Sequence, residues 1–398
     1  MVKTINSLKA LLFASLLLFV GNSFLLSTNP ILLKELGYND FYIGLISSCI
    51  YLGALISTFA SHTLIQKVGH IRSFGFFTSL FAIATILHIV IKDIYLWAIL
   101  RFIIGFSYYT LLIIIESWIN QKSKNEIRSR MLSIYEIVFY SGFAIGVLLM
   151  YLKPSYNNVF IIAVLVILLC SLPLNLLKIK QPKLKERKKI SVPNIFNVSK
   201  LAFIAAFVGG FLMNGFFSMS QTYFLALNYN IQDISLLIFT AMLGGFIAQL
   251  FMGRLSDVYG RKIAILFCVS LAFVSSVGLY FLASNKIAIF IFCFFLGMGL
   301  FCIYALALAR ASDRAKESSQ ILEIGRTLMF AYVSSSVVSP IILGYAINTF
   351  GANAYILVYI ILLFGLGVFT LTQPKIDATN RIEYEQKPSQ FVHLGNDE

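Results

Sequence analysis

Charge is scarce in this chain: Asp, Glu, Lys and Arg make up 12% of its 398 residues, against 59% hydrophobic. So little charge cannot cover the surface of an ordinary soluble domain, and the sequence reads as an all-α polytopic membrane protein. Acids are scarcer than bases, 17 against 31, for a net charge of +14. In a soluble chain that surplus would suggest nucleic acid. Here the cations lie in the gaps between apolar stretches, so they report topology and no nucleic-acid partner is expected. The four histidines include no i, i+4 pair, so no metal is expected. His88 is the one well inside an apolar stretch, and no acid stands near it in sequence, which argues against an enzyme and its convergent titratable groups. The five cysteines (Cys49, Cys170, Cys268, Cys293, Cys302) fall inside apolar stretches without C-x-x-C spacing and read as packing residues. A phosphate-cradling G-x-x-x-x-G-K-[ST] loop is missing, as is any soluble region large enough for a nucleotide site, which excludes an ATP-driven pump; no cofactor is expected. No small-residue cleavage site follows Lys3 and Lys9, and the first apolar run continues past Asn22 to Pro30, so it reads as a transmembrane helix rather than a signal peptide.

What is present is a series of apolar stretches, each long enough at about 20 residues to cross a bilayer as a helix. They lie near 8–30, 41–64, 74–91, 95–119, 131–151, 158–177, 200–226, 233–253, 263–283, 287–309, 319–346 and 354–373. With both termini on the cytoplasmic side, 25 cations fall in cytoplasmic segments and four (Lys34, Lys92, Lys153, Lys286) on the other side, which sets the orientation. Residues 178–200 carry eight of the cations and two prolines and divide the chain. The expected organisation is an N-terminal six-helix bundle over 1–177, a basic cytoplasmic linker over 178–199, a C-terminal six-helix bundle over 200–373 and a polar cytoplasmic tail over 374–398, expected to be disordered.

The two bundles also match in sequence. Leu36, Tyr38, Asn39, Gly53 and Gly69 recur 191 positions later as Leu227, Tyr229, Asn230, Gly244 and Gly260, and Asn22 and Asn29 recur 192 positions later as Asn214 and Gln221. A duplicated six-helix unit is the plan of a secondary transporter with pseudo-symmetric halves. The polar gap GRLSDVYGRK, residues 253–262, sharpens this. Its glycines allow helix ends to approach and turn sharply, Asp257 is placed to accept from a helix N-terminus, and Arg261 and Lys262 suit the cytoplasmic headgroup level.

With Gly253, Asp257, Gly260, Arg261 and Lys262, this gap resembles the loop motif G-x-x-x-D-x-x-G-R-[RK] of the major facilitator superfamily, and the resemblance covers roughly residues 8–373. In that family the motif more often follows the second helix. Here that place reads HTLIQKVGHIRS, with His62, Gln66 and His70 where the motif has glycine, aspartate and arginine, so the gating role shifts to the C-terminal half. Arg101 with Gly105 is similar to a second family motif in the fourth helix. Gly142 and Gly146 remain of an antiporter pattern whose proline is missing, and ESWIN at 116–120 with RSRMLSIYE at 128–136 resembles a branch of bacterial permeases without an assigned substrate.

The resemblance implies a central cavity lined by the first, fourth, seventh and tenth helices, which points to Asn22, Asn29, Arg101, Tyr108, Asn214, Phe217, Gln221 and Tyr304. For the amides the alternative is plain interhelical hydrogen bonding. Arg101 lies about 9 Å along the fourth helix from its external end at about 1.5 Å per residue. Such a cation either snorkels outward or faces the cavity to bind an anionic group or sense a proton site. Glu116, Arg128, Arg130 and Glu136, with Glu323 and Arg326, form a candidate cytoplasmic charge network, read either as a gate or as static pairs; Glu116 is expected to pair with Arg128 or Arg130. The expected function is secondary active transport of a small organic solute by rocker-switch alternating access, coupled to protons, by a monomer in the lipid bilayer of a bacterial cytoplasmic (inner) membrane. The alternatives are a lipid or hydrophobic-compound translocase, or a passive facilitator, on the same fold.

Overall fold

The structure is a computed structural model that describes residues 2–123, 125–176, 199–314 and 318–375; the side chains of Arg128, Arg130 and Glu323, the linker at 178–198 and the tail from 376 onward lie outside the described residues. Among the described residues, twelve helical spans are long and apolar enough to cross a membrane. In chain order they are α1 (Val2–Glu35), α2 (Asp40–Val68), α3 (His70–Val90), α4 (Ile94–Lys122), α5 (Asn125–Leu149) and α6 (Tyr156–Leu176), then α7 (Lys200–Ala226), α8 (Ile231–Tyr259) and α9 (Arg261–Leu282). The tenth span breaks after Leu300 into α10 (Lys286–Leu300) and α11 (Ile303–Ser312), and α12 (Ser318–Phe350) and α13 (Asn353–Thr372) complete the set.

Two boundaries differ from expectation. The first helix runs through Pro30 to Glu35 instead of stopping at the proline. Within a bundle, neighbouring helices can absorb the one backbone bond a proline removes, so proline is a weak stop signal in such helices. The tenth span is not one continuous helix, because the chain turns at Phe301 and Cys302 just after the glycines at 297 and 299.

The helices gather into two compact units, one holding residues up to Gly37 and from Leu45 through α6, the other holding Tyr38–Gly44 and α7 onward. Within the first, α1 packs on α5 and α6, and α3 on α4 and α6; within the second, α7 packs on α12, and α9 on α10 and α13. The same local devices build both. Asp93 caps α4 by accepting from the N–H groups of Tyr95 and Leu96, and Asn285, 192 residues on, caps α10 by accepting from Ile287 and Ala288. Asn39 accepts from the N–H of Tyr42, and its counterpart Asn230 from that of Asp233. Each such cap satisfies helix-end donors and contributes about 1 kcal/mol.

Close helix crossings repeat as well. Gly53 of α2 lies against the backbone of Phe102 and Gly105 in α4, and Gly244 of α8 against that of Phe294 and Met298 in α10. From the other side, Gly105 faces the backbone of Ile50, and Gly297 that of Ala241. Small residues allow such contact where lipid offers no hydrophobic drive to hold helices together. Gly105→Ala and Gly297→Ala each force a methyl into a facing backbone, so the thermal midpoint of the purified protein should drop by several degrees, in line with an overpacking cost of about 1–3 kcal/mol. Gly75→Ala, where a methyl meets nothing within 4 Å, is the control and should leave the midpoint in place; equal midpoints for all three variants would contradict these crossings.

Candidate functional site

The motif loop is a hydrogen-bonded hub. Gly260, at φ 94°, ends α8 and starts α9 in a backbone region that only glycine enters freely, and Gly69 makes the same joint between α2 and α3 at φ 90°. Past this turn the Arg261 side chain is buried among protein groups. Its Nε donates to Asp313 Oδ2 at 3.1 Å, and its Nη1 donates to Ser256 Oγ at 2.8 Å and to Asp257. Arg261 and Asp313 are both sealed, with side chains 1% exposed, whereas Asp257 is 42% exposed. Asp313, just past the end of α11, is therefore the buried partner. Lys262 donates to the carbonyls of Leu371 at 2.8 Å and Gln373 at 2.5 Å, and Arg310 to that of Pro374 at 2.7 Å, so two cations close the C-terminal end of α13.

The N-terminal counterpart keeps the tie without the charges. His70 stands 191 residues before Arg261 and is likewise buried; its Nε2 lies 2.9 Å from Ser117 Oγ in α4, and its ring meets Trp118 edge-on. In each unit the residue after the glycine joint reaches the last turns of the unit's fourth span, or the residue following it. One tie is neutral and the other ionic.

A second cluster lies deep in the first unit. Glu116 of α4 is fully buried, and its Oε1 accepts from the Tyr135 hydroxyl at 3.3 Å, while Oε2 has no hydrogen-bond partner among the described residues. Glu136, the residue after Tyr135 in α5, is buried close enough to act on Glu116 electrostatically. Tyr108 is buried in α4 beside Asn22 of α1. Arg128 and Arg130, the expected partners of Glu116, lie outside the described side chains. Arg326 is half-buried in α12, and Glu323 is outside the described side chains.

The third cluster surrounds Arg101. Its guanidinium is 0% exposed, donates to Asn29 Oδ1 in α1 and lies 5.7 Å from the Trp97 ring. It neither snorkels nor opens to solvent, and its Nε and Nη1 have no partner among the described residues. His88 packs against Trp97 with ring centroids 4.7 Å apart and uses Nδ1 on the Ala84 carbonyl at 2.7 Å.

The C-terminal lining candidates are tied into their own bundle. Asn214 Nδ2 donates to Ser336 Oγ at 2.7 Å and to the Gly210 carbonyl at 3.1 Å, Gln221 Nε2 donates to the Phe217 carbonyl at 3.0 Å, and the Tyr304 hydroxyl lies 3.3 Å from Met329 Sδ. Phe217 packs on Phe301. Asn22 and Asn214 each keep 8% exposure, against 2% for Asn29 and 0% for Gln221, so of the duplicated amides the first pair is the one still reached by solvent. Sequence reasoning missed Ser256, Asp313 and Tyr135 as partners. Asp313 in the RASDR run was the one visible hint, an acid beside three cytoplasmic cations.

The comparisons agree with this architecture. The family profile described as Major Facilitator Superfamily matches residues 11–328 and 202–396. The chain is 27% identical over 339 residues to an uncharacterized MFS-type transporter of Yersinia pestis (strain Pestoides F), covering 83% of this chain and 86% of the relative. It is 24% identical over 334 residues to the uncharacterized MFS-type transporter YcaD of Salmonella newport (strain SL254), with the same coverage. Among solved structures, the nucleoside transporter NupG superimposes with a TM-score of 0.78 at 13% identity, covering 92% of this chain and 98% of that one. A bacterial homolog of the human lysosomal transporter Spinster, inward-facing and unoccupied, gives 0.70 at 12% identity over 97% and 99%. At these identities the structures speak for the fold alone.

Removing Asp313 takes from the sealed Arg261 its one buried carboxylate partner among those described and leaves the partly exposed Asp257, so Asp313→Ala should cost up to about 3–5 kcal/mol, whereas Asp257→Ala, losing the partly exposed partner, should cost about 1 kcal/mol or less. Thermal midpoints of the two purified variants measure the difference; a larger loss for Asp257→Ala would show that the buried partner had been misidentified.

Proposed function

Because the chain belongs to the Major Facilitator Superfamily, whose profile spans most of its length, we propose that this multi-pass membrane transporter works as a proton-coupled secondary transporter of a small organic solute. It moves the solute by rocker-switch alternating access between its two six-helix bundles. It acts as a monomer in a bacterial cytoplasmic membrane, with both termini, the basic linker and the motif loop on the cytoplasmic side, the orientation that the cation distribution favours.

The observation that carries the coupling is Glu116. A carboxyl buried in a membrane bundle with a tyrosine hydroxyl as its one described partner has no cation bonded to it among the described residues, and buried ionisable residues in membrane helices mark ion or proton pathways. Glu136 beside it provides a second carboxyl, so protonation of one affects the other. Water reaching this cluster in one state of the cycle and leaving it in the other would exchange the proton. Solute contact falls to Asn22 and Asn214, the duplicated amides that keep exposure, with Tyr108, Phe217 and Tyr304 near them on the helices that the family plan assigns to the cavity. Arg261 with Asp257, and the 116–136 cluster with Arg128 and Arg130, are the elements proposed to form and break as the bundles rock, together with Glu323 and Arg326.

Reconstituted in liposomes with a pH-sensitive dye inside, the protein should move protons when the correct solute is added from a panel of nutrients and toxic compounds. Glu116→Gln should lower solute-driven proton flux at least tenfold while leaving solute exchange measurable. Proton flux in Glu116→Gln equal to that of the unaltered protein would rule out this carboxyl as the coupling group, and solute movement indifferent to any pH gradient would rule out coupling itself.

A further inference from the structure

Arg101 is a buried cation with no carboxylate beside it among the described residues; Arg310 likewise keeps Nε and Nη1 without partners there, but it stands near Asp313 and donates to the Pro374 carbonyl. Arg261 has Asp313 and Asp257, whereas among the described residues no carboxylate pairs with Arg101, and Asn29 supplies its one hydrogen bond. Nε and Nη1 are sealed from solvent without partners. The acid at the start of the same helix, Asp93, is occupied in capping, accepting from Tyr95 and Leu96 at 3.0 Å each. A guanidinium cannot shed its charge to escape this setting, and an unanswered charge between membrane helices costs several kcal/mol.

The surroundings select for a small ligand. Trp97, 1% exposed, and the stacked rings of His88 and Phe160 close the site with apolar surface. His88 donates through Nδ1 to Ala84, which leaves Nε2 with a lone pair and no partner. Toward the start of α4, the half-buried Tyr156 donates its hydroxyl to the His88 carbonyl at 2.9 Å, and the exposed Lys92 sits 3.5 Å from the centroid of its ring. The second unit provides an internal control. Cys293 occupies the place equivalent to Arg101, 192 residues on, and the buried tyrosine hydroxyls of that unit are bonded, Tyr355 to Tyr359 at 3.0 Å, Tyr359 to the Leu212 carbonyl at 2.6 Å and Tyr223 to the Leu279 carbonyl at 3.3 Å, while Gln221, the counterpart of Asn29, keeps only the acceptor Oε1 without a partner among the described residues. The leftover donors come with the cation.

We infer that Arg101, with Asn29 and Trp97, forms a buried binding site for a small monovalent inorganic anion of halide size within the N-terminal bundle. The anion takes the two free guanidinium donors and balances the charge, and a water molecule entering with it supplies the donor that His88 Nε2 lacks. Occupancy of the site does not depend on the protein being a transporter.

Trp97 is one of only two tryptophans, so the site carries its own reporter. In a Trp118→Phe background, iodide titrated into the purified full-length protein at constant ionic strength, with gluconate as the balancing anion, should quench Trp97 emission along a saturating curve that chloride reverses. Arg101→Gln should abolish the saturating component, and Arg101→Lys, which keeps the charge but not the fork of donors, should shift its midpoint to at least tenfold higher iodide; size-exclusion profiles confirm that the variants are folded. Linear, collisional quenching alone would mean that the cluster holds only water and would overturn the site, as would saturation that survives in Arg101→Gln. Neither result depends on solute or proton flux, so a failure here is distinct from a failure of the transport reading.

Discussion

A charge enclosed between membrane helices must be answered on the spot, because neither water nor lipid can do it. Each candidate site in this protein is defined by the form that answer takes. Arg261 is answered by two carboxylates and a serine hydroxyl. Lys262 and Arg310 are answered by the free carbonyls at the end of α13. Among the described residues Glu116 has one tyrosine hydroxyl, and Arg101 one amide. The first has its countercharges in place, and in the second Arg310 still keeps Nε and Nη1 without partners among the described residues. The last two are incomplete, and incomplete groups are where protons, ions and solutes find a place.

The duplication separates scaffold from function. What recurs in both units is geometry: the capping residues Asp93 and Asn285, Asn39 and Asn230, the positive-φ joints at Gly69 and Gly260, and the glycine crossings of α2 with α4 and of α8 with α10. What differs is charge. Arg101 corresponds to Cys293, Glu116 to Leu308 and His70 to Arg261. A duplicated fold needs its turns and close contacts twice, since each unit must bury its own helices. A coupling or binding group is needed once, and α4 holds both groups proposed for those roles.

Much of the fold was legible in the sequence because the bilayer writes it in one dimension. Apolar length gives the spans, and Asn22, Asn29, Gly53 and Gly69 repeating at nearly constant offset give the two halves. The break between α10 and α11 was hidden because Phe301 and Cys302 are as apolar as their neighbours, and the passage of α1 through Pro30 because proline is a weaker stop in a bundle than in water. The site was legible only in part. Arg101, Glu116 and Arg261 stand out as charges in apolar surroundings, but their partners do not: Asp313 is 52 residues from Arg261, Asn29 is 72 from Arg101, and Ser117 is 47 from His70. Pairings over such separations follow from how helices pack, which no local pattern encodes. Tyr135 was the nearest miss, adjacent to Glu136 but concealed as one aromatic residue among many.

The two incomplete charges on α4 cannot answer each other. They lie 15 positions apart, about 22 Å along the helix at about 1.5 Å per residue. At an effective dielectric constant of about 20, opposite unit charges at that distance attract by only about 0.8 kcal/mol, well below the several kcal/mol that burying either one costs. Each must be neutralised locally and by different means, because a guanidinium keeps its proton and must gain an anion, whereas a carboxyl can gain a proton. One helix thus carries two sites of opposite chemical demand, far enough apart to be filled independently. Helix α4 reaches α1 through Asn29 at one site and α5 through Tyr135 at the other, so occupancy of each site is tied to a different helix contact inside the same bundle.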